Sequence, residues 1–111
     1  MPGVSSSCDA DRMSVYVVAQ LRFTDERHYR RYQCRFAGAF AGSGGRLLAA
    51  DEAPTVLEGT WQTDKLVIME FVSAAAARSF LEGPAYQAIS KDRLAGAQTS
   101  ALLVQGLQMA T

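Results

Sequence analysis

The chain has 111 residues, of which 49% are hydrophobic, and its eleven basic and eleven acidic side chains cancel. This length and composition are typical of one globular domain, and the balanced charge argues against nucleic acid and anionic membrane surfaces as partners. The uninterrupted apolar stretches, such as Leu66 to Met69, are far too short to span a bilayer.

The two ends of the chain are predicted to lie outside the domain. Residues 1–13 are rich in serine and aspartate and lack the apolar segment of a secretory signal, so we expect a disordered leader. The domain is predicted to cover residues 14–107, followed by a tail at 108–111. Cys8 and Cys34 have no CxxC spacing and form no disulfide framework, which indicates a reducing cytoplasm.

The first strand is predicted at Val15–Phe23. Its residues alternate so that one face is apolar, whereas the other face becomes polar toward the end of the strand, at Gln20 and Arg22. The side-chain oxygen of Thr24 or Asp25 is expected to cap the helix that follows.

An aromatic stripe marks this first helix. Its members recur at three- and four-residue steps and are expected to lie on the sheet: Tyr29, Tyr32, Phe36 and Phe40. Gly42, Gly44 and Gly45 are predicted to end the helix. Because these glycines follow a helix and precede a strand, they do not indicate a phosphate-binding loop.

The second strand is predicted in two parts, Arg46–Ala50 and Thr55–Gly59, because Pro54 cannot donate to a strand ladder and marks a bulge or an edge. After a hairpin loop at Thr60–Lys65, the third strand is expected to run from Leu66 to Val72.

The rest of the chain is predicted to contain a short helix and a last strand. Ser73 is expected to cap a helix at Ala74–Glu82, which Gly83 ends before Pro84 opens another turn. The last strand is predicted at Ser100–Gln105. The order β-α-β-β-α-β describes an α+β fold that leaves one sheet face bare, and a bare apolar face needs a partner or a ligand.

Several segments together carry a resemblance to a known family: YVVAQLRFTD, GGRLLA, VLEGTW, LVIMEF and GPAYQAI. In this combination the chain resembles the domain of unknown function 1330 family, within the dimeric α+β barrel superfamily, from about Ser14 to Gly106. The resemblance implies a ferredoxin-like βαββαβ sandwich with an antiparallel sheet, pairing as a homodimer into a dimeric α+β barrel. Relatives in that superfamily include cofactor-independent monooxygenases of polyketide quinones, muconolactone-type isomerases and haem-binding enzymes.

The resemblance also singles out individual positions. The positions that recur in the family are occupied here by Tyr32, Glu58, Trp61, Glu70 and Tyr86. Where relatives often have an acidic residue near the end of the first strand, this chain has Gln20, which weakens any mechanism that needs a carboxylate there.

Glu58 and Glu70 are the candidate proton-transfer groups. Each is predicted in an otherwise apolar strand, and apolar surroundings raise the pKa of a carboxyl group toward neutrality. The alternative is that either carboxylate pairs with Arg46, Arg22 or Lys65 on an exposed sheet edge.

Aromatic and basic side chains are the candidate substrate-binding groups. Tyr32 and Tyr86 can donate a hydrogen bond to a substrate carbonyl, and Trp61 can form a flat apolar wall. Arg46 or Arg22 can stabilise developing negative charge. The alternative for the tyrosines is plain packing, with the hydroxyl group at the rim of the core.

His28 is the only histidine, and it is predicted on the flank of the aromatic stripe, facing water or the rim of a pocket. Gln20 and His28 complete the candidate substrate-binding residues. No second histidine or cysteine stands at ligand spacing, so no metal site is expected, although a haem bound through His28 remains an alternative.

These residues predict a small-molecule-binding homodimer that works without a cofactor. The expected activity is proton transfer, isomerisation, cyclisation or oxygenation of a compact cyclic or aromatic metabolite, with Glu58, Glu70 and Tyr32 as catalytic residues. The alternative is a non-catalytic ligand-binding or dimerisation module.

Overall fold

The structure, a computed structural model, describes residues 14–107. The predicted leader and tail lie outside these described residues. The helices and strands follow in this order: β1 (Val15–Phe23), α1 (Glu26–Phe40), β2 (Arg46–Asp51), β3 (Lys65–Phe71), α2 (Ala74–Glu82), α3 (Pro84–Gly96) and β4 (Ala97–Gln105).

The strands form one four-stranded sheet in the order β2-β3-β1-β4. Strand β1 lies inside the sheet and pairs antiparallel with β3 and β4, and β2 pairs antiparallel with β3 at the edge. With the helices in a layer against one face, this is the α+β ferredoxin-like fold that the element order predicts. None of the helices within residues 14–107 is long and apolar enough to cross a membrane.

The alternation along β1 separates the two faces of the sheet. Val15, Val17 and Leu21 are buried against the helices, whereas Gln20 and Arg22 point to the other face and are exposed. The helix-facing side receives the predicted aromatic stripe of α1, whose members Tyr29 and Tyr32 are buried. The predicted amphipathic faces of β1 and α1 are therefore confirmed.

The caps of the first two helices differ. Ser73 caps α2 as predicted, because its Oγ accepts a hydrogen bond from the Ala76 amide at 3.0 Å. Ala77 of the same helix is completely buried, so the small side chains let α2 pack closely. Asp25 occupies the N-cap position of α1, but its side chain makes no capping hydrogen bond, so the predicted side-chain cap of this helix by Thr24 or Asp25 is wrong.

The second part of the predicted second strand is wrong. Strand β2 ends at Asp51, which pairs with Leu66 as the last residue pair of that ladder. Because β3 begins at Lys65, residues 55–59 have no strand opposite them and lie in the loop between β2 and β3. A register shift between Leu47 and Ala49 adds the only irregularity between these two strands.

Helix α3 is longer than the single turn predicted after Pro84, and it continues directly into β4, which begins before the predicted start at Ser100. The end of α3 is held against the start of α1. The carbonyl oxygen of Gly96 accepts hydrogen bonds from the amides of Thr24 at 2.9 Å and Asp25 at 3.1 Å. This long-range contact defines where α3 ends.

No helix or strand described within residues 14–107 covers the second face of the sheet, which we call the open sheet face. A row of apolar residues crosses its centre, because Val18 is paired with Ile68 on one side and Leu102 on the other. The Leu102 side chain is 65% exposed and Val104 is 39% exposed. An apolar row of this kind calls for a partner.

Candidate functional site

A cavity of about 730 Å³ lies between the helix-facing side of the sheet and the helices. We call it the helix-side cavity. Its wall is largely apolar and includes Val17, Ala19, Phe36, Val67, Met69 and Ala101. Its volume is in the range of pockets for compact organic molecules.

Three polar side chains form a hydrogen-bonded chain on the wall of this cavity. The hydroxyl oxygens of Tyr32 on α1 and Tyr86 on α3 lie 2.9 Å apart. The Nε of Arg93, also on α3, donates to the Tyr86 hydroxyl oxygen at 3.1 Å. All three residues line the cavity, and we call them the Tyr-Tyr-Arg chain.

The Tyr-Tyr-Arg chain is a source of hydrogen bonds and positive charge, not of a base. Burial raises the pKa of Tyr32 far above its ordinary value, and the neighbouring Tyr86 hydroxyl group adds to the effect. Tyr32 is therefore neutral at pH 7. If Arg93 donates to Tyr86 and Tyr86 donates to Tyr32, the Tyr32 proton is free for an acceptor in the cavity.

A second polar group at the cavity is neutralised within the protein. Lys65 lines the cavity and is 5% exposed, and its Nζ lies 3.6 Å from Oε2 of Glu52. Arg30 donates to the other oxygen of Glu52 at 2.8 Å. The Arg30 guanidinium is the main reason that the pKa of Glu52 falls to about 2. The buried ammonium of Lys65 therefore has an ionised partner at neutral pH.

We predict that Glu52→Gln lowers the free energy of unfolding by about 1–2 kcal/mol, because it leaves the buried Lys65 without a charged partner while solvent screens the half-exposed pair with Arg30. The depressed pKa gives this stabilisation a definite pH range. It is complete above the usual carboxyl pKa of 4.5 and is lost as the pH falls toward 2. Urea unfolding at pH 7 and pH 3 measures both effects: the variant and the wild type should differ less at pH 3. An equal difference at both pH values would contradict the assignment.

One hydroxyl group of the cavity has no hydrogen-bond partner within the part of the chain that the structure describes. Thr99 lines the cavity, and its Oγ1 is buried without a hydrogen bond to any described residue. Thr99 and Lys65 flank Leu21 on the two sides of β1, so both polar groups lie at the same end of the sheet. A buried hydroxyl group without a partner is costly unless a bound molecule supplies one.

Glu70, predicted as a proton-transfer group, lies on the open sheet face. Its Oε1 accepts a hydrogen bond from Nη2 of Arg46 at 2.6 Å, and its Oε2 accepts one from the Tyr16 hydroxyl group at 3.1 Å. The Arg46 guanidinium lowers the pKa of Glu70, so the expected rise is wrong and the alternative, an ion pair with Arg46, is what forms. Gln20 and Arg22 lie on this face too, away from the helix-side cavity.

Other predicted site residues also lie outside the cavity. Glu58 is exposed in the loop between β2 and β3. The apolar strand expected around it is wrong, because the ladder between β2 and β3 ends at Asp51. Trp61 is half-buried in the same loop. The Nδ1 of His28 lies 3.3 Å from Oδ1 of Asp92, at the packing of α1 on α3. Among residues 14–107, no group of three or more His, Cys, Asp or Glu side chains is placed to hold a metal ion.

Of the predicted site residues, the structure brings Tyr32 and Tyr86 together in the helix-side cavity. It adds Arg93, which the sequence analysis missed. Arg93 follows Tyr86 by two helical turns, so both point to the same side of α3. The seven-residue spacing of Tyr86 and Arg93 could have indicated this, but only if the predicted helix had continued beyond Ile89.

A comparison with protein-family models matches residues 14–107 to a domain of unknown function, DUF1330. The chain belongs to the DUF1330 family. The match covers every residue that the structure describes, and it confirms the resemblance carried by the sequence segments. A search of curated proteins found no match.

Solved structures show that this DUF1330 chain shares its fold with distant proteins. A protein of unknown function from Rhodopseudomonas palustris is 18% identical, with a TM-score of 0.73 over 96% of this chain and 95% of that one. SnoaB, a cofactor-independent oxygenase from Streptomyces nogalater, is 17% identical, with a TM-score of 0.61 over 88% and 97%. A dimeric ferredoxin-like protein from Thermobifida fusca is 12% identical, with a TM-score of 0.62 over 85% and 92%.

Proposed function

We propose that this DUF1330 protein binds a compact cyclic or aromatic metabolite in the helix-side cavity and acts on it as a cofactor-independent enzyme. One observation carries the proposal: the hydroxyl groups of Tyr32 and Tyr86 meet on the wall of an otherwise largely apolar cavity of about 730 Å³. An apolar wall with a few convergent polar groups is typical of sites for small organic molecules. The shared fold with the oxygenase SnoaB supports the cofactor-independent class.

The chemistry proposed for this site is removal of a proton next to a carbonyl group. The neutral Tyr32 donates to the carbonyl oxygen, and Arg93 supports it through Tyr86 as negative charge develops on that oxygen. Glu82 supplies a carboxylate on the cavity wall and is our proposed base. The enolate formed is a common starting point for isomerisation, cyclisation and oxygenation, the reaction types expected from the resemblance.

We predict that the wild-type protein binds 2-tetralone, a compact bicyclic ketone, and accelerates exchange of its α-protons in deuterium oxide. Tyr32→Phe removes the donor to the carbonyl oxygen, so the exchange rate should fall by about 10- to 100-fold. The affinity should fall less, by about 3- to 10-fold, because one neutral hydrogen bond is lost. Calorimetric titration measures the affinity, and NMR follows the exchange.

Tyr16→Phe is the matched control, because it removes the same hydroxyl group from the open sheet face. It should leave binding and exchange unchanged. If the wild type binds 2-tetralone without accelerating exchange, the enzymatic part of the proposal is wrong and the non-catalytic binding module is favoured. If 2-tetralone does not bind, the cavity does not accept an uncharged cyclic ketone, and the proposed proton removal from such a ketone is wrong.

We further propose that two copies pair through the open sheet face as a homodimer. The row of Val18, Ile68 and Leu102 gives this face an apolar centre, and the ion pair of Arg46 with Glu70 gives it a polar border. An apolar centre with a polar rim is typical of protein interfaces. The Thermobifida fusca protein is dimeric, which supports the proposal.

The cytoplasm is our proposed location, because the exposed thiol of Cys34 is a free thiol, and free thiols persist in reducing compartments.

A further inference from the structure

We infer that the ligand of the helix-side cavity is an organic acid whose carboxylate is bound by Arg93. The inference deepens the proposed function and rests on it, because it names the chemical class of the molecule in the same cavity. Arg93 is a basic side chain of the cavity wall that has no negatively charged partner among residues 14–107.

The hydrogen bonds of Arg93 leave most of its guanidinium group unused. Its Nε donates to the Tyr86 hydroxyl oxygen at 3.1 Å. Among the described residues, no carboxylate forms an ion pair with Arg93, and its Nη1 and Nη2 have no hydrogen-bond partner in the protein. Two other arginines, by contrast, are paired with carboxylates: Arg30 binds Glu52, and Arg46 binds Glu70.

The other charged side chains of the cavity wall, Lys65 and Glu82, form no ion pair with Arg93. Lys65 is a second cation, but Glu52 already neutralises it. Glu82 is the acidic residue of the wall, and it is exposed and forms no ion pair with a described residue. Arg93 is half-buried, where an uncompensated charge is costly. A ligand with a negative charge removes that cost.

The geometry of the unused donors favours a carboxylate. With Nε engaged by Tyr86, the two terminal nitrogens remain on the outer edge of the guanidinium plane, where they can bind both oxygens of one carboxylate. The ring system of the acid then lies against the apolar wall, for example Val67, Met69 and Ala101. The unpartnered hydroxyl group of Thr99 offers one more hydrogen bond inside the cavity.

The carboxylate inferred here and the carbonyl group required by the proposed reaction together make the expected ligand a cyclic keto acid. Its carboxylate is bound by Arg93, and its ring carbonyl oxygen accepts a hydrogen bond from the Tyr32 hydroxyl group. The Tyr86 hydroxyl group, which contacts both Tyr32 and Arg93, sets the spacing between the two polar ends of the ligand.

The test uses two probes of the same shape, 1,2,3,4-tetrahydro-2-naphthoate and its primary amide, in calorimetric titrations of the full chain. The carboxylate should bind the wild type at least about 10-fold more tightly than the amide, because charge-assisted hydrogen bonds are stronger than neutral ones. Arg93→Met should weaken carboxylate binding by about 10- to 100-fold and amide binding much less. Arg78→Met, an exposed change on α2 outside the cavity, is the matched control and should change neither affinity.

The wild-type ratio decides the inference even if Arg93→Met is too unstable to study, and Arg93→Gln offers a second, polar replacement. Equal affinities for carboxylate and amide would overturn the inference, and binding of 2-tetralone would then still support the proposed function. Unchanged carboxylate affinity in a folded Arg93 variant would also overturn it. If neither these probes nor 2-tetralone bind, the proposed function itself fails and the inference fails with it.

Discussion

Gly96→Ala is expected to lower the free energy of unfolding by about 3 kcal/mol, an effect at the upper end for one added methyl group. An alanine Cβ at this position would meet the backbone nitrogen of Tyr29 and lie 2.8 Å from the carbonyl oxygen of Asp25. These are backbone atoms of α1 and cannot rotate away. The helices must separate, which weakens the hydrogen bonds that Thr24 and Asp25 donate to Gly96. Thermal unfolding should show a Tm lower by about 15 °C.

Gly38→Ala is the matched control. Gly38 lies inside α1, and a Cβ there would have no heavy atom within 4 Å. Because alanine is the better helix former, this change should stabilise the protein by about 0.5–1 kcal/mol. If Gly96→Ala were as harmless as Gly38→Ala, the close packing of α3 on α1 would be wrong, and with it the position of Tyr86 beside Tyr32.

Elements with a strong local pattern could be predicted to the residue. Strand β1 has strict alternation, and α2 lies between a serine cap and a glycine stop, so both agree with the predicted bounds. Tyr32 and Tyr86 could both be predicted as site residues, but the contact between them could not. The two hydroxyl groups meet because α1 and α3 pack side by side, which no local pattern encodes.

Where the sequence analysis failed, a long-range contact decides the outcome. The apolar Val56 and Leu57 resemble a strand locally, but the ladder with β3 ends at Asp51 and leaves them in a loop. Glu70 lies in an apolar strand, but Arg46 lies directly opposite it in the register and forms an ion pair with it. Sequence can show that a carboxylate is unusual, whereas only the sheet register shows what it binds.

Leu102→Glu is expected to convert the proposed homodimer into monomers. The side chain of Leu102 is 65% exposed on the open sheet face, so the change should cost the isolated chain little. In the dimer, each copy would bury an unpaired carboxylate beside the apolar Val18. That burial should weaken association by at least about 100-fold. Sedimentation velocity over a range of concentrations measures the change in the dissociation constant.

Ala88→Glu places the same charge on an exposed position of α3, in the opposite layer of the molecule, and should leave the dimer intact. If both variants dimerise like the wild type, the open sheet face is not the interface. The Leu102→Glu monomer also tests whether the site needs a partner. The helix-side cavity and its Tyr-Tyr-Arg chain are built from residues of one chain. The monomer should therefore keep its affinity for 2-tetralone, and a loss of binding would mean that the second copy completes the site.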